Sequence, residues 1–275
     1  MRGQPIAALA AVAVAACAAP SRQLTPRIVE DPITLPRRMA SASLAVTAVH
    51  FEPTNANAFP GTPGFRFGIT DHLEWVDLLG LRYAFLDDRP ADGRARMPIS
   101  LALRAGVHGI GYSSMEGMIV QPVVAVTALK RVADRWALTL SAGWRAQYVD
   151  NEFGWTPAYN GSLTYASRRW SFLGVNAAVT RQLSERVALG VAVLAEQAND
   201  CVSPTCAWKT RSAGGSLSLG VRPLSWLTVR VIPAAGGRER PDIALPTTYP
   251  DGTPIPIQPL SVTWVAATGI LEFFW

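Results

Sequence analysis

The chain has 275 residues, 49% of them hydrophobic but only 16% charged, against about 25% charged in an average soluble domain, and its 22 glycines and 21 prolines are scattered as punctuation rather than gathered into a disordered tract. The net charge of +5 rests on arginine, since Lys130 and Lys209 are the only lysines, and no basic run exceeds a pair such as Arg37-Arg38 or Arg168-Arg169, which excludes the continuous basic stripe of a nucleic-acid binder. The longest apolar run, Ile6 to Ala16, is too short for a spanning helix of about 20 residues, so a helical membrane protein is excluded as well.

Residues 1–16 read as a signal peptide: Arg2 supplies the positive charge, Ile6 onward the apolar region, and small residues the exit. Val14-Ala15-Ala16-Cys17 resembles the lipobox of bacterial lipoproteins, which implies lipidation of Cys17 as the mature N-terminus. Cleavage at the A-x-A site Ala16-Cys17-Ala18, discarding Cys17, is the alternative. Residues 17–38, rich in Pro, Arg and polar side chains without periodicity, are expected to form a linker or tether. Strands are expected from residue 39 to the end.

Trp136, Leu138, Leu140, Ala142, Trp144, Ala146 and Tyr148 alternate with Ala137, Thr139, Ser141, Gly143, Arg145 and Gln147, the period of two of a half-buried strand. The same period runs through Ile99 to His108 and through Ser216 to Arg222. Turn residues divide the chain into twelve segments: 39–51, 64–70, 73–86, 98–111, 118–129, 136–149, 158–168, 170–181, 187–198, 212–222, 227–234 and 261–275. Ten strands is the alternative, if one hairpin has been split in excess. Tight connections such as Thr70-Asp71-His72 and Leu183 to Arg186 contrast with longer ones at 52–63, 87–97, 199–211 and 235–260. Short turns on one side and long loops on the other are the habit of an antiparallel, up-and-down transmembrane β-barrel. Twelve strands would put both chain ends on the periplasmic side, although Lys130 to Arg135 and Ser167 to Arg169 would then be short turns on the outer side. Cys201 and Cys206, in the polar stretch 199–211, are expected to form a loop disulfide after export. Two isolated thiols make only half a zinc ligand set, and no metal or other cofactor is expected.

The last segment places Trp275, Phe273, Leu271, Gly269, Ala267 and Val265 on one face and stops on an aromatic. It resembles the C-terminal assembly signal of bacterial outer-membrane β-barrel proteins, with Trp where the signal usually has Phe. That resemblance covers residues 39–275 in architecture. It implies residence in the outer membrane of a Gram-negative bacterium, with membrane lipid and the barrel-assembly machinery as partners. A lipid-anchored β-sandwich would alternate too, but its outer face needs Lys, Glu and Asp, whereas the polar faces here carry Ser, Thr, Gly, Ala and single arginines. Trp75, Trp136, Trp170, Trp226 and Trp275 fall at segment ends, as an interfacial girdle requires.

Parity sends Arg66, Arg82, Arg104, Arg145, Arg222 and Arg230 into the lumen together with Glu196 and Glu272, and leaves Asp77 on the nominal lipid face. Two functions follow. In one, unpaired arginines line a channel for small polar or anionic solutes; in the other, arginines paired with Glu196, Glu272 and backbone carbonyls plug a non-conducting barrel that acts through its outer loops. A lipid hydrolase built on His108 with Ser113 and Ser114 is the weakest reading, because the chain has no G-x-S-x-G, H-E-x-x-H or P-loop motif. No enzyme is expected.

Overall fold

The computed structural model describes residues 24–52, 56–58, 61–77, 79–88, 97–113, 117–150, 156–157, 163–164, 168–202, 205–239 and 261–275; where described, 56–62, 108–121, 147–170 and 198–210 are given by their backbone alone. Strands follow one another almost without interruption. They are β1 (Ala40–Glu52), β2 (Ala56–Ala58), β3 (Gly61–Gly68), β4 (Leu73–Val76), β5 (Leu79–Leu86), β6 (Ser100–Ser113), β7 (Gly117–Ala133) and β8 (Trp136–Asp150). Then come β9 (Thr156–Pro157), β10 (Leu163–Thr164), β11 (Arg168–Gln182), β12 (Val187–Val202), β13 (Thr205–Leu224), β14 (Leu227–Glu239) and β15 (Ser261–Phe274). Apart from the short β2, β9 and β10, each pairs antiparallel with its neighbours in chain order, and β15 returns to pair with β1 from Ser41 opposite Phe274 to Glu52 opposite Thr263. The result is a closed barrel of twelve antiparallel strands, which settles the choice between ten and twelve. Closure leaves no free edge between the first and last strands.

The alternation seen in the sequence decides which face meets what. Leu138, Leu140, Leu217, Leu219 and Phe273 are all exposed on the outer face, with Leu140 56% accessible, and no second sheet covers them among the described residues. A sandwich would have buried them against each other. Here they form the band that hydrocarbon covers. Trp75, Trp136, Trp226 and Phe273 lie exposed at one rim, beside the turns 69–72, 134–135 and 225–226 and close to both Ala40 and Trp275. Trp226 stacks on Phe273 at 6.2 Å. Such a belt marks a membrane interface.

Two expected boundaries are corrected, and they compensate. Segment 73–86 is two strands, because Asp77 takes φ 55, a left-handed conformation that short Asp tolerates better than most residues, and its N–H donates to the Phe65 carbonyl. The chain therefore turns back after β4. Segment 158–168 contributes no barrel strand among the described residues: it holds the two-residue β10 and the first residue of β11, and the rest lies outside them. The count stays at twelve while the sides of the intervening connections exchange. Asp134-Arg135 now falls on the same rim as the other tight turns, which removes the anomaly at 130–135, and Arg168-Arg169 belongs to a strand. The connection 87–99 moves to the short-turn rim. The expected loop 199–211 is a continuation of β12 and β13, with Cys201 directly opposite Cys206 in the ladder.

Candidate functional site

At the short-turn rim the lumen is filled by the chain's own N-terminal segment. Residues 24–38, expected as a linker, carry a single 3-10 turn, Ile28–Glu30. Leu24, Val29, Ile33 and Leu35 are buried. Leu24 and Leu35 pack with Met39 and Phe274, and Ile33 packs with Ala84 and Ala102. These apolar contacts fix the segment's depth, while polar groups projecting from the wall meet its backbone.

Three wall residues carry most of that contact. Arg222, with its side chain fully buried, grips Asp31 through both terminal nitrogens at 2.7 Å, donates to the Thr25 carbonyl at 2.7 Å and to Thr228 Oγ1 at 2.9 Å. A bidentate guanidinium–carboxylate pair is the strongest polar contact available to a side chain and fixes orientation as well as distance. Arg131, from β7, donates to the carbonyls of Val29 and Asp31 and pairs with Asp88. Glu74 is the hub on the opposite wall. Its carboxylate, inaccessible to solvent, accepts from Leu35 N (2.6 Å), Arg82 Nη1 (2.6 Å) and Arg66 Nη2 (3.0 Å). Gln182 accepts from Val29 N and donates to the Ser184 carbonyl, and Thr34 Oγ1 donates to the Asp71 carbonyl. The segment is thus a built part of the barrel floor.

Each of the six arginines expected in the lumen has an acidic partner. Arg66 reaches Glu74 and, at 3.7 Å, Glu272; Arg82 reaches Glu74; Arg104 pairs with Asp77; Arg145 with Glu196 at 2.9 Å; Arg222 with Asp31; Arg230 with Asp31 at 3.9 Å. Asp77, read from parity as lipid-facing, instead sits on the turn and points to Arg104. Its left-handed backbone breaks the period from which the parity was counted. Glu74 and Asp31 were missed. Glu74 shares parity with Arg82 on its own segment and could have been found; Asp31 lies in an aperiodic stretch that gives no such signal.

Above the floor, Arg145 stands apart from this cluster. Its guanidinium stacks 4.2 Å from the Phe172 ring centroid and reaches across Gly174 to Glu196, and its side chain is 49% exposed. With Ser141, Asn176 and Leu194 these residues line a lumen cavity of about 270 Å³. The lipidation candidate Cys17 and the leader fall outside the described residues, as do the side chains of Cys201, Cys206, His108 and Ser113 and all of Ser114.

A further contact of the floor lies outside the spanning strands. Arg27 forks onto Glu185 in the turn between β11 and β12, with Nη2 2.6 Å from Oε1. The hydrogen bond from Arg27 holds the Glu185 carboxyl below the ordinary carboxylate range and raises the guanidinium in return. Because the folded carboxyl is depressed, the latch stabilises fully above the unfolded value of about 4.3 and is lost as pH falls through the lower folded one. Carboxyl-detected NMR titration should give Glu185 a midpoint below that value, restored to it by Arg27→Gln. An unchanged midpoint in the variant would remove the latch.

No family model matches the chain, and no curated protein matches its sequence. Solved structures match its fold. An outer membrane channel from Pseudomonas putida F1 superposes with a TM-score of 0.54 at 9% identity, over 87% of this chain and 97% of that one. The fold is that of an outer-membrane β-barrel. Also similar are the NanC porin (TM-score 0.43, 9% identity, 84% of this chain and 98% of that one) and the Escherichia coli outer membrane protease OmpT (0.37, 8%, 90% and 100%). At these identities the likeness is one of architecture, so the activity has to be argued from the chain's own residues.

Proposed function

We propose that the protein is an outer-membrane channel for small polar solutes, open toward the long-loop side and held shut on the periplasmic side by residues 24–38. The observation that carries this reading is the division of the lumen. Its short-turn end is packed with the N-terminal segment, while higher up Arg145 is half exposed beside a largely apolar cavity that also carries Ser141, Asn176 and Glu196. Anion preference has less support, because a selective ring acts through uncompensated charge and the six arginines are paired.

Planar-bilayer recording of the full-length protein tests the reading, with brief, low-conductance openings expected from a channel whose floor is in place. Arg145→Glu sets two carboxylates side by side in the lumen and should move the reversal potential toward cations. Silence from wild type and from the floor-deleted protein discussed below would leave the non-conducting alternative.

Two covalent features belong to the same proposal. Directly opposed residues of an antiparallel pair have Cα atoms about 4.5–5.5 Å apart, inside the range of about 4.4–6.8 Å that a disulfide accepts. Cys201 and Cys206 are such a pair, so in envelope-derived protein neither thiol should react with an alkylating agent until a reductant is added. Alkylation of both without reductant would refute the bridge. Lipid on Cys17 would tether the floor segment to the inner leaflet across the few residues up to Leu24; mass spectrometry of the mature N-terminus decides it.

A further inference from the structure

Above the floor, one aromatic side chain of the lumen is seated on glycine. Trp264, on β15, opposes Gly236 in the ladder, and Gly236 opposes Gly214. Its neighbour Val265 is 56% exposed on the outer face, so alternation turns Trp264 inward. The benzo edge of the indole lies across both glycines. A Cβ at Gly236 would stand 2.5 Å from Trp264 Cζ2, and one at Gly214 would stand 2.8 Å from the same atom, well inside the contact distance of two carbons. A side chain at either place would therefore push the ring off the wall. The indole reaches from β15 to β13 over this bed, and the surface turned away from the glycines is part-exposed to the lumen.

The next strands carry this surface into the cavity beside Arg145. Gly214 opposes Leu194, which shares a face of β12 with Glu196 two residues along. Glu196 in turn opposes Gly174, whose bare backbone beside that of Gly143 makes room for the cavity. Diagonal neighbours on adjacent strands lie about 7–8 Å apart, so the ring edge over Gly214 and the Glu196 carboxylate are separated by the width of one small ring. The Arg145–Glu196 contact uses Nη2 of the one and Oε2 of the other, and the two side chains are 49% and 20% exposed. Oε1 can still accept a hydrogen bond, and the other guanidinium N–H groups can donate. Asn176, opposite Leu194, adds an amide that does both.

We infer that Trp264 and the Arg145–Glu196 pair form a binding site for a neutral pyranose sugar. A pyranose chair has an apolar face of C–H bonds and a rim of hydroxyls that both donate and accept. The negative face of the indole attracts the C–H hydrogens, while Arg145, Glu196 and Asn176 take the rim, each hydroxyl meeting a group of the opposite kind. The pairing of charges selects against ions. An anion would compete with Glu196 for Arg145, and a cation with Arg145 for Glu196, and either would leave a charged group without its partner. A wholly apolar ring would cover the same groups without satisfying them. The inference deepens the proposed channel and rests on it only in that a solute reaches the lumen from the loop side.

Saturation-transfer NMR on the full-length protein in a sugar-free zwitterionic detergent tests it, with methyl β-glucopyranoside as the probe and the signal of empty micelles subtracted. In that sugar H1, H3 and H5 lie on one face. Transfer to them should exceed transfer to H2 and H4, and sorbitol, which has the hydroxyls but no ring, should show none. Transfer to sorbitol equal to that of the glucoside, or tighter binding of the corresponding glucuronide, would overturn the site, and neither reading needs a variant. Trp264→Leu should weaken glucoside binding about tenfold, the scale of one lost aromatic stack, and Trp264→Phe should restore part of it, with folding of each checked by the band shift on unheated gels. Unchanged binding in folded Trp264→Leu would overturn the site. Glucoside binding by a protein that never conducts would uphold the site and reject the channel, whereas conduction without binding would do the reverse.

Discussion

Deletion of residues 24–35 should convert the protein from brief, low-conductance openings to a steadily open pore in planar bilayers. The segment contributes no strand to the barrel: closure from β1 to β15 begins at Ala40 and Ser41. Its removal leaves the wall hydrogen bonds in place and vacates the lumen at the short-turn rim. Arg222, Arg131, Gln182 and Glu74 would lose their contacts to Thr25, Val29, Asp31 and Leu35, but in a vacated lumen water takes over those contacts, so the penalty of a buried unpaired charge does not apply. The point variant Asp31→Ala separates gate from filler. It takes the anion from Arg222 and Arg230 and leaves the apolar packing of Leu24, Ile33 and Leu35, so openings should lengthen without reaching the conductance of the deletion. Equal conductance in wild type and deletion would show that the segment does not set the flow.

The barrel was legible in the sequence because its main determinant is periodic. Leu138 and Leu140 alternating with Thr139 and Ser141 state in one strand which face is wet and which meets lipid, and the same period recurs in nearly every strand. The count came out right through two opposite errors, at Asp77 and at 158–168, because a reversal carried by one residue in a left-handed conformation leaves no Gly or Pro to announce it. The six arginines were assigned to the lumen from the same period as the strands. Their partners were only half legible. Glu196 and Glu272 lie on regular strands, whereas Asp31 and Asp77 lie where the period stops. The floor was illegible altogether: Leu24, Val29, Ile33 and Leu35 are apolar but irregularly spaced, and a segment buried as extended chain inside a barrel need not repeat at 2 or at 3.6 residues. Its buried partners on the wall, Gln182 and Arg131, sit close to turns and read locally as solvent-facing ends.

Glu74→Ala should destabilise the barrel more than any other single substitution in the wall, by about 3–5 kcal/mol, as expected when one member of a buried charge cluster is removed. Glu74 is wholly buried, and two arginines converge on it while its Oε2 also accepts from Leu35 N. After truncation Arg66 keeps only the longer contact to Glu272 at 3.7 Å, and Arg82 is left with the Ile33 carbonyl at 3.5 Å. Two guanidinium groups would then share a confined space with the more distant Glu272 carboxylate as the counter-charge of Arg66, and the floor would lose its anchor at Leu35. Glu74→Gln keeps the shape and one acceptor oxygen, so its loss should be smaller but of the same sign. The double variant Glu74→Ala/Arg82→Leu discriminates between lost charge balance and lost packing, because it removes a cation along with the anion. If charge balance dominates, the double variant is more stable than the sum of the single losses predicts, with a coupling of about 0.5–3 kcal/mol. Urea titration in detergent, read by the shift between folded and unfolded bands on unheated gels, measures wild type, Glu74→Ala, Glu74→Gln, Arg82→Leu and the double variant. A Glu74→Ala loss within about 0.5 kcal/mol of wild type, the range of an ordinary surface change, would mean that Arg66 and Arg82 find water in the floor and that the floor is less tightly built than its hydrogen bonds indicate.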